Sequence, residues 1–431
     1  MSAGPTFREA TAVWAKIGLL GFGGPAGQIA LMHRMVVEER KWVSEARFLH
    51  ALNFCMLLPG PEAQQLATYI GWLLHGTRGG IVAGTLFILP GLALILGLST
   101  LYAVFNDAAW LASLFFGLKA AVLAIVIDAV VRIGRRALKG GVAVSLAALA
   151  FVGIFAFHVP FPVIVLGAGL IGVAVPRFFF LADVDDTEAD AVAPPTAARS
   201  LRVVAVWGAL WAAPVIIVGV GFGWGSLYAG LGGFFSQMAV VTFGGAYAVL
   251  AYVGQVAVSS YHWLQPGQML DGLALAETTP GPLLLVLTFI GFIAAYAAPG
   301  VLPPLAGGFL GALLVTWVTF VPSFLWIFLG APYIERVRGN RTVAAGLAAI
   351  TAAVVGVILN LAVFLALHVL FWQVGELAWG LFRPAWPLFS SLDPEALALA
   401  VIAAVALFRL RLGILPILGV CGVLGLLIRL I

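Results

Sequence analysis

Charged side chains are scarce in this chain. Asp, Glu, Lys and Arg together make up 9% of its 431 residues, whereas 63% of the residues are apolar. A soluble domain carries roughly 25% charged residues, because its surface must be compatible with water. The shortage therefore excludes an ordinary soluble protein. Because apolar segments recur along the whole chain, we predict an all-α, polytopic membrane protein.

Cysteine and catalytic motifs are also nearly absent. Cys55 and Cys421 are the two cysteines, and neither belongs to a CxxC or His-rich pattern, which argues against a disulfide framework, a zinc site or an iron–sulfur cluster. The sequence lacks the GxSxG, HExxH, Walker and dinucleotide signatures. We therefore expect no enzyme, no catalytic residues, no metal and no cofactor, and an energy source other than ATP.

The chain does contain an internal duplication. Three motifs recur at one constant spacing, here called the first register: Phe22-Gly23-Gly24 as Phe243-Gly244-Gly245, Trp42 as Trp263, and Pro59-Gly60-Pro61 as Pro280-Gly281-Pro282. Two later pairs, Pro90 with Pro322 and Asp128 with Asn360, share a slightly longer spacing, the second register. A shared register for separate motifs indicates duplication. We predict a first repeat at 1–181 and a second at 203–431, with an extra leading helix at 203–223.

The segment between the repeats, 182–202, is polar and proline-containing, which predicts a cytoplasmic linker, with a regulatory or ion-binding tail as the alternative. One added crossing at 203–223 would invert the second repeat. The distribution of Lys and Arg agrees, since the loop at 33–47 holds four of them and its counterpart at 254–268 holds none. We therefore predict an inverted-topology repeat.

Both repeats carry sequences that interrupt a helix. Glycine leaves the backbone unconstrained, and proline removes a donor and clashes with the preceding turn, so no helix runs smoothly through the FGG and PGP motifs. In hydrocarbon, broken backbone is tolerated only where protein or water satisfies it. Paired breaks in inverted repeats indicate a transporter site near the midplane, and helix N-termini that end there suit an anion. The alternative is a set of tight turns without a ligand.

We predict a substrate site between the halves, built from broken or re-entrant helices and their neighbours. Its predicted residues are Gly23, Gly24, Pro59, Gly60, Pro61, Gln64, Lys119, Gly244, Gly245, Thr278, Thr279, Pro280, Gly281 and Pro282.

Three charged residues lie in apolar surroundings. Glu62 follows the first PGP motif and Glu277 precedes the second. An unpaired carboxylate is costly in a bilayer, so each is a candidate for proton coupling, with a helix cap as the alternative. Lys119 could contact the anion or pair with Asp128, although Asp128 is also placed to pair with Arg132 one helical turn later.

These motifs resemble those of the chromate ion transporter family in its long, two-domain bacterial form. The resemblance rests on Gly21-Phe22-Gly23-Gly24-Pro25, Leu58-Pro59-Gly60-Pro61 with Gln64-Gln65-Leu66-Ala67, Phe243-Gly244-Gly245, and Glu277-Thr278-Thr279-Pro280-Gly281-Pro282. It implies a multi-pass protein of the bacterial cytoplasmic (inner) membrane that exports chromate, confers resistance, and is driven by the proton gradient or the membrane potential. Sulfate, a similar tetrahedral dianion, is the natural competitor.

Two rival functions stay open at this point: an anion channel of the same fold, and a membrane-embedded enzyme. The expected partners are chromate or a sulfate-like oxyanion, protons and the lipid bilayer. A homodimer is a further alternative, and no nucleic acid is expected, because the net charge of +4 is small and its basic residues are clustered at predicted membrane boundaries.

Overall fold

A computed structural model of the protein describes residues 4–105, 108–179, 196–243, 246–333, 341–377, 379–380 and 382–430. In this part of the chain there are sixteen α-helices: α1 (Phe7–Leu20), α2 (Gly24–His33), α3 (Glu45–Cys55), α4 (Glu62–Val104), α5 (Ala109–Ala137), α6 (Gly141–Phe157), α7 (Phe161–Ala174), α8 (Ala197–Phe222), α9 (Leu227–Val241), α10 (Ala246–Gln255), α11 (Pro266–Thr278), α12 (Val286–Ala297), α13 (Pro304–Gly330), α14 (Arg341–Leu370), α15 (Pro394–Ala404) and α16 (Ile414–Leu430). One antiparallel hairpin joins β1 (Val374–Glu376) to β2 (Ala385–Pro387).

Five helices are long and apolar enough to cross a membrane: α4, α5, α8, α13 and most of α14. This confirms the polytopic α-helical fold. Helix α4 has 43 residues, which at 1.5 Å per residue is about twice the thickness of a bilayer core. It is divided at His75 and Gly76, whose backbone is not helical, and Gly76 has a φ of +61°. The part that follows this kink is long enough for one crossing.

The predicted linker at 182–202 lies outside the described residues up to 195. Its last six residues are helical, because α8 begins at Ala197. Thr196 caps this helix by accepting a hydrogen bond from the backbone N–H of Arg199. The extra helix predicted at 203–223 is therefore present as α8 but begins earlier.

The described chain forms two compact units. Unit 1 comprises Met1–Thr100, Val184–Ala246 and Thr279–Gly339, and unit 2 comprises Leu101–Asp183, Tyr247–Thr278 and Asn340–Ile431. Each unit takes segments from both sequence repeats. The repeats and the compact units are thus different divisions of the same chain.

The duplication is visible in local backbone geometry. Short π-helices at Arg34–Glu39 and Val256–Ser260 are each followed by a residue with a φ of +52°, Lys41 in one repeat and His262 in the other. In both places one carbonyl, that of Val36 or of Ala257, accepts two successive N–H groups from the turn that follows. Each of these features recurs in the first register.

A third register, with a longer spacing, appears near the end of the chain. His158 ends α6 with a φ of +52°, and Arg411 precedes α16 with a φ of +55°. The hydrogen bond from Val159 N–H to the Gly153 carbonyl recurs at the same spacing, from Leu412 to Ala406. Helices α6 and α7 therefore correspond to α15 and α16. The spacing grows because the β-hairpin segment is inserted in the second repeat.

Small residues bring the helices of unit 2 close together. Gly425 of α16 packs so tightly on α5 that a Cβ atom there would lie 2.6 Å from both the Gly117 nitrogen and the Ser113 carbonyl oxygen. Gly356 of α14 packs in the same way on the backbone of α6 at Ala147. Without a hydrophobic driving force in lipid, such close backbone approach supplies the packing energy between helices.

We expect Gly425→Ala to destabilise the protein by about 1–3 kcal/mol, because the added methyl group overpacks the contact between α5 and α16. Gly419→Ala is the matched control, since Gly419 lies in the same helix and has no atom within 4 Å of an added Cβ. The control should be neutral or stabilising by up to about 1 kcal/mol, because alanine favours helix. Thermal unfolding in detergent, followed by fluorescence-detected gel filtration, measures both. Equal melting temperatures for the two variants would contradict this packing.

Candidate functional site

The predicted helix breaks are real features of unit 1. Gly23, between α1 and α2, and Gly24, the first residue of α2, have φ values of +89° and +67°. Gly60, between α3 and α4, has a φ of +120°, and Gly281, which follows α11, has a φ of +95°. L-residues with side chains rarely adopt such conformations, so the glycines are required there. The prediction that no helix passes through these motifs is confirmed at these positions.

The breaks of the two repeats bind each other. The Gly281 N–H donates to the Gly21 carbonyl over 2.9 Å, and the Gly60 N–H donates to the Thr242 carbonyl over 2.8 Å. Gly60 and Gly281 are equivalent in the repeat, and so are Gly21 and Thr242. Each PGP break therefore donates to the segment just before the FGG motif of the other repeat. We call this pair of exchanged bonds the break cluster.

The break cluster also packs against the proline-containing helices α4 and α13. A Cβ atom on Gly60 would lie 3.1 Å from the Ser323 hydroxyl oxygen of α13. A Cβ atom on Gly281 would lie 3.3 Å from the Phe87 carbonyl oxygen of α4. Pro90 and Pro322 lie within these two helices close to the contacts. The PGP break of each repeat thus packs against the equivalent helix of the other repeat.

Two buried glutamines hold the break cluster together. The Gln28 side-chain amide donates to the carbonyls of both Gly21 and Gly281, so it joins the two repeats. The Gln65 amide donates to the Pro59 carbonyl over 2.7 Å. Gln28 was not among the predicted site residues. The available signal was a lone amide in the otherwise apolar helix that follows the FGG motif.

Three buried polar side chains on α4 and α13, the helices that pack against the break cluster, have no hydrogen-bond partner among the described residues. They are Gln64, for both amide atoms, and the hydroxyls of Thr319 and Ser323. None of the three is more than 5% exposed. Buried polar groups are normally paired, and unpaired ones are characteristic of sites that bind a ligand or water. The amide N–H₂ and the two hydroxyls can donate hydrogen bonds to oxygens of an anion.

Most of the predicted site residues lie in unit 1. These are Gly23, Gly24, Pro59, Gly60, Pro61, Gln64, Thr279, Pro280, Gly281 and Pro282. Lys119 and Thr278 belong to unit 2. Gly244 and Gly245 lie outside the described residues.

The two candidate proton-coupling carboxylates differ in environment. Glu62 is the first residue of α4, where the helix dipole favours its negative charge. Within the described part of the chain its carboxylate forms no hydrogen bond or ion pair. Glu277 is 3% exposed and accepts a hydrogen bond from the Tyr247 hydroxyl over 2.8 Å. Because Glu277 lies in the last turn of α11, where no free N–H groups occur, it is not an N-terminal cap.

Lys119 has a partner that its sequence context did not indicate. Its ammonium lies 2.9 Å from Asp271 Oδ1, and the Tyr102 hydroxyl donates to Asp271 Oδ2 over 2.8 Å. Asp128 pairs instead with Arg132, one helical turn away, as its spacing predicts. The suggested Lys119–Asp128 pair is therefore wrong. The two side chains lie about 13 Å apart along one helix, whereas Asp271 comes from α11, which packs directly on α5.

Unit 2 also contains a cavity of about 670 Å³ at the β-hairpin. Its lining is largely apolar, with polar groups that include Gln255, Ser259 and Asn360 and the ionisable side chains His158, His368, Glu376 and Arg383. No residue of the predicted site lines it. In the described chain, no group of three or more His, Cys, Asp or Glu side chains is arranged to hold a metal ion.

Comparison with known proteins gives a consistent family assignment. The chromate transporter family matches residues 8–173 and 229–426. The starts of the two matched segments are related by the first register and their ends by the third. The chain is similar to a chromate transport protein of Pseudomonas aeruginosa, with 33% identity over 82% of this chain and 79% of that protein.

Two further relatives have similar coverage. A chromate transport protein of Cupriavidus metallidurans is 27% identical over 84% of this chain and 83% of its own length. A probable chromate transport protein of Synechococcus elongatus is 29% identical over 93% and 95%. No solved structure matches the chain. The relatives are named as transport proteins, in agreement with the expectation that this chain is not an enzyme.

The break cluster predicts a stability effect for Gln28. We expect Gln28→Met to lower the free energy of unfolding by about 1–3 kcal/mol, because two buried carbonyls lose their side-chain donor. Gln237→Met is the control, since Gln237 is exposed on α9 and its replacement removes no buried hydrogen bond. Thermal unfolding in the same detergent compares them. A Gln28→Met protein as stable as the control would show that the glutamine does not hold the two repeats together.

Proposed function

Because the chain belongs to the chromate transporter family, we propose that it is a secondary active transporter of chromate or of a related tetrahedral oxyanion such as sulfate. It exports this anion across the bacterial cytoplasmic membrane and so confers resistance to chromate. The observation that carries this proposal is the break cluster, where two interrupted helices meet beside unpaired, buried hydrogen-bond donors. Paired helix breaks of this kind are the usual substrate sites of secondary transporters.

The chemistry of the break cluster suits an oxyanion. A tetrahedral dianion offers oxygen acceptors only, and the unpaired groups include the donors of Gln64, Thr319 and Ser323. Buried donors interact more strongly with charge than donors in water do, because the local dielectric constant is low. None of these donors distinguishes chromium from sulfur, so size and basicity would decide between chromate and sulfate.

Glu62 gives a physical route to proton coupling. It directly follows the first PGP motif, so its carboxylate lies near the proposed anion site. A charged carboxylate there repels a dianion, and a protonated one does not. Proton uptake at Glu62 and anion binding would then favour each other, so the two would cross the membrane together. A proton that moves with a dianion leaves one net negative charge, so the inside-negative membrane potential would drive their export. Glu277, buried against Tyr247, is the second candidate for the proton.

The proposed mechanism is alternating access by an inverted repeat, in which one set of broken helices moves against the other. The exchanged hydrogen bonds of the break cluster support a two-fold relation between the repeats, because equivalent donors bind equivalent acceptors. The added helix α8 between the repeats supports opposite orientations in the membrane.

An anion channel of the same fold is the second candidate function. It is favoured by the same polar, glycine-rich break cluster, which would also suit a pore. A channel cannot concentrate its ion beyond the electrochemical gradient, whereas a coupled transporter can. A membrane-embedded enzyme has no supporting observation in the described residues.

Uptake of chromate into everted membrane vesicles tests the proposal. We expect these vesicles to accumulate more chromate than vesicles that lack this protein. The accumulation should require a proton gradient or membrane potential, and sulfate should inhibit it. Flux that only dissipates an imposed chromate gradient would indicate a channel. No flux from verified, inserted protein would remove chromate as the substrate.

We expect Gly60→Leu and Gly281→Leu each to abolish chromate accumulation without preventing membrane insertion. Both side chains would enter the backbone contacts of the break cluster. Gly300→Leu is the matched control, because Gly300 also has a positive φ, of +66°, but has no atom within 4 Å of an added Cβ. Transport assays and insertion blots compare the three variants. A well-inserted Gly60→Leu protein that transports like the wild type would remove this break from the site.

A further inference from the structure

Unit 2 contains a buried ion pair that has no part in the break cluster. It joins Lys119 of α5 to Asp271 of α11, with Tyr102 of the last turn of α4 as a third member. We propose that these three residues, which we call the Lys–Asp–Tyr site, bind the coupled proton, and that protonation of Asp271 releases Lys119 to attract the oxyanion. This inference rests on the proposed function, and it assigns the coupled proton to Asp271 in place of Glu62 or Glu277.

The geometry divides the two oxygens of Asp271 between two partners. Oδ1 faces the Lys119 ammonium and Oδ2 accepts from the Tyr102 hydroxyl. A proton that arrives from water at Oδ1 therefore replaces the ammonium directly, while the Tyr102 hydrogen bond continues to orient the carboxyl group. The proton adds to the carboxyl group of Asp271, so the net charge of the site rises by one.

Because Asp271 and Lys119 are shielded from water, replacing the ammonium by a proton changes the electrostatic energy of the site. Asp271 is 6% exposed, and the Lys119 side chain is 23% exposed. Charges in such surroundings are costly unless paired. When Asp271 becomes neutral, the Lys119 ammonium lacks its counter-ion, and an oxyanion restores the balance. Proton and dianion thus bind with positive coupling and cross the membrane together, with one net negative charge per cycle, so the inside-negative membrane potential drives their export.

The surroundings of Asp271 contain no competing charge in the described part of the chain. Helices α5, α14 and α16 all pack against α11. Apart from Lys119 and Cys421, the titratable residues described on these helices have other partners or lie at a helix end. Asp128 pairs with Arg132 on α5, His368 of α14 bonds to the Phe364 carbonyl, and Arg429 of α16 pairs with Asp393. Arg135 and Arg136 lie in the last turn of α5. Cys421 of α16 is buried as a free thiol. On α11 itself, Glu277 is bonded to Tyr247.

A second ion pair in unit 2, Asp393 with Arg429, has a structural role and serves as a comparison. Asp393 accepts the backbone N–H groups of Glu395 and Ala396, so it caps α15, and Arg429 binds its other oxygen. Arg429 also lies over the rings of Phe116 and Trp372. Asp271 lies inside α11 and has no such capping role, since both of its assigned partners are side chains. This contrast favours a switch at Asp271 and supplies a matched control.

The test uses purified full-length protein in proteoliposomes, with two measurements of chromate movement. One is accumulation driven by a proton gradient that is acidic outside the liposomes, and the other is chromate counterflow without a gradient. We expect Asp271→Asn to reduce gradient-driven accumulation by about 5- to 150-fold while counterflow persists. Lys119→Gln should lose both activities. Asp393→Asn, which keeps the capping oxygen, should resemble the wild type.

The double variant Lys119→Gln with Asp271→Asn separates a switch from a structural pair. It removes both charges, so a purely structural pair predicts recovery of gradient-driven accumulation, and that recovery would overturn the proposal. Persistent proton movement with chromate in Asp271→Asn, followed by a pH-sensitive dye inside the liposomes, would also overturn it. If Asp271→Asn fails to insert, Asp271→Glu keeps the carboxyl group and should change the pH dependence of accumulation.

Infrared spectroscopy tests the proton-binding site independently of transport. On acidification of the detergent-purified protein, a carboxylic-acid C=O band should appear that is missing in Asp271→Asn and present in Asp393→Asn. If the wild type does not accumulate chromate, the proposed function fails, whereas this band still tests whether the Lys–Asp–Tyr site binds a proton. Absence of any band that depends on Asp271, across the pH range in which the protein stays folded, would overturn the inference.

Discussion

Backbone groups that a helix break frees inside a bilayer have no water to bind, so other parts of the protein must bind them. In this protein each repeat supplies hydrogen-bond acceptors for the freed N–H groups of the other repeat. Gly60 of the first repeat donates to Thr242 of the second, and Gly281 of the second donates to Gly21 of the first. Neither of these PGP glycines donates within its own repeat, which gives a physical reason for two repeats in one chain. Gln28 adds a side-chain donor at the same crossing.

This exchange also explains why the compact units do not coincide with the repeats. Unit 1 contains the break segments of both repeats together with α1–α3, most of α4, α8, α9, α12 and α13, and unit 2 contains the other helices of both repeats. Glycine contacts such as that of Gly425 on α5 hold the helices of unit 2 together. Unit 2 also contains the Lys–Asp–Tyr site and the inserted β-hairpin with its cavity. The unpaired donors and the buried ion pair are therefore carried by different units of the same chain.

The sequence predicted the parts of the fold that depend on local chemistry. The scarcity of charge predicted membrane helices, and glycine and proline marked the breaks, because each of these effects acts within a few residues. The first register predicted which positions are equivalent, and the backbone of Lys41 and His262 repeats accordingly. The third register was not predicted, because α6, α7, α15 and α16 share backbone geometry and helix order rather than a distinctive motif.

Side-chain partnership could not be predicted in the same way. Asp271 is far from Lys119 along the chain, and Gln28 is far from Gly281, so no periodicity or helical spacing connects them. A helix presents several faces of similar apolar character, and only packing decides which face meets which neighbour. Residue chemistry and repetition were enough to establish that the chain lies in a membrane, that it is duplicated and where its helices break. That each break binds the opposite repeat, and that Lys119 faces Asp271, was decided by the fold, because those contacts arise only when distant helices pack together.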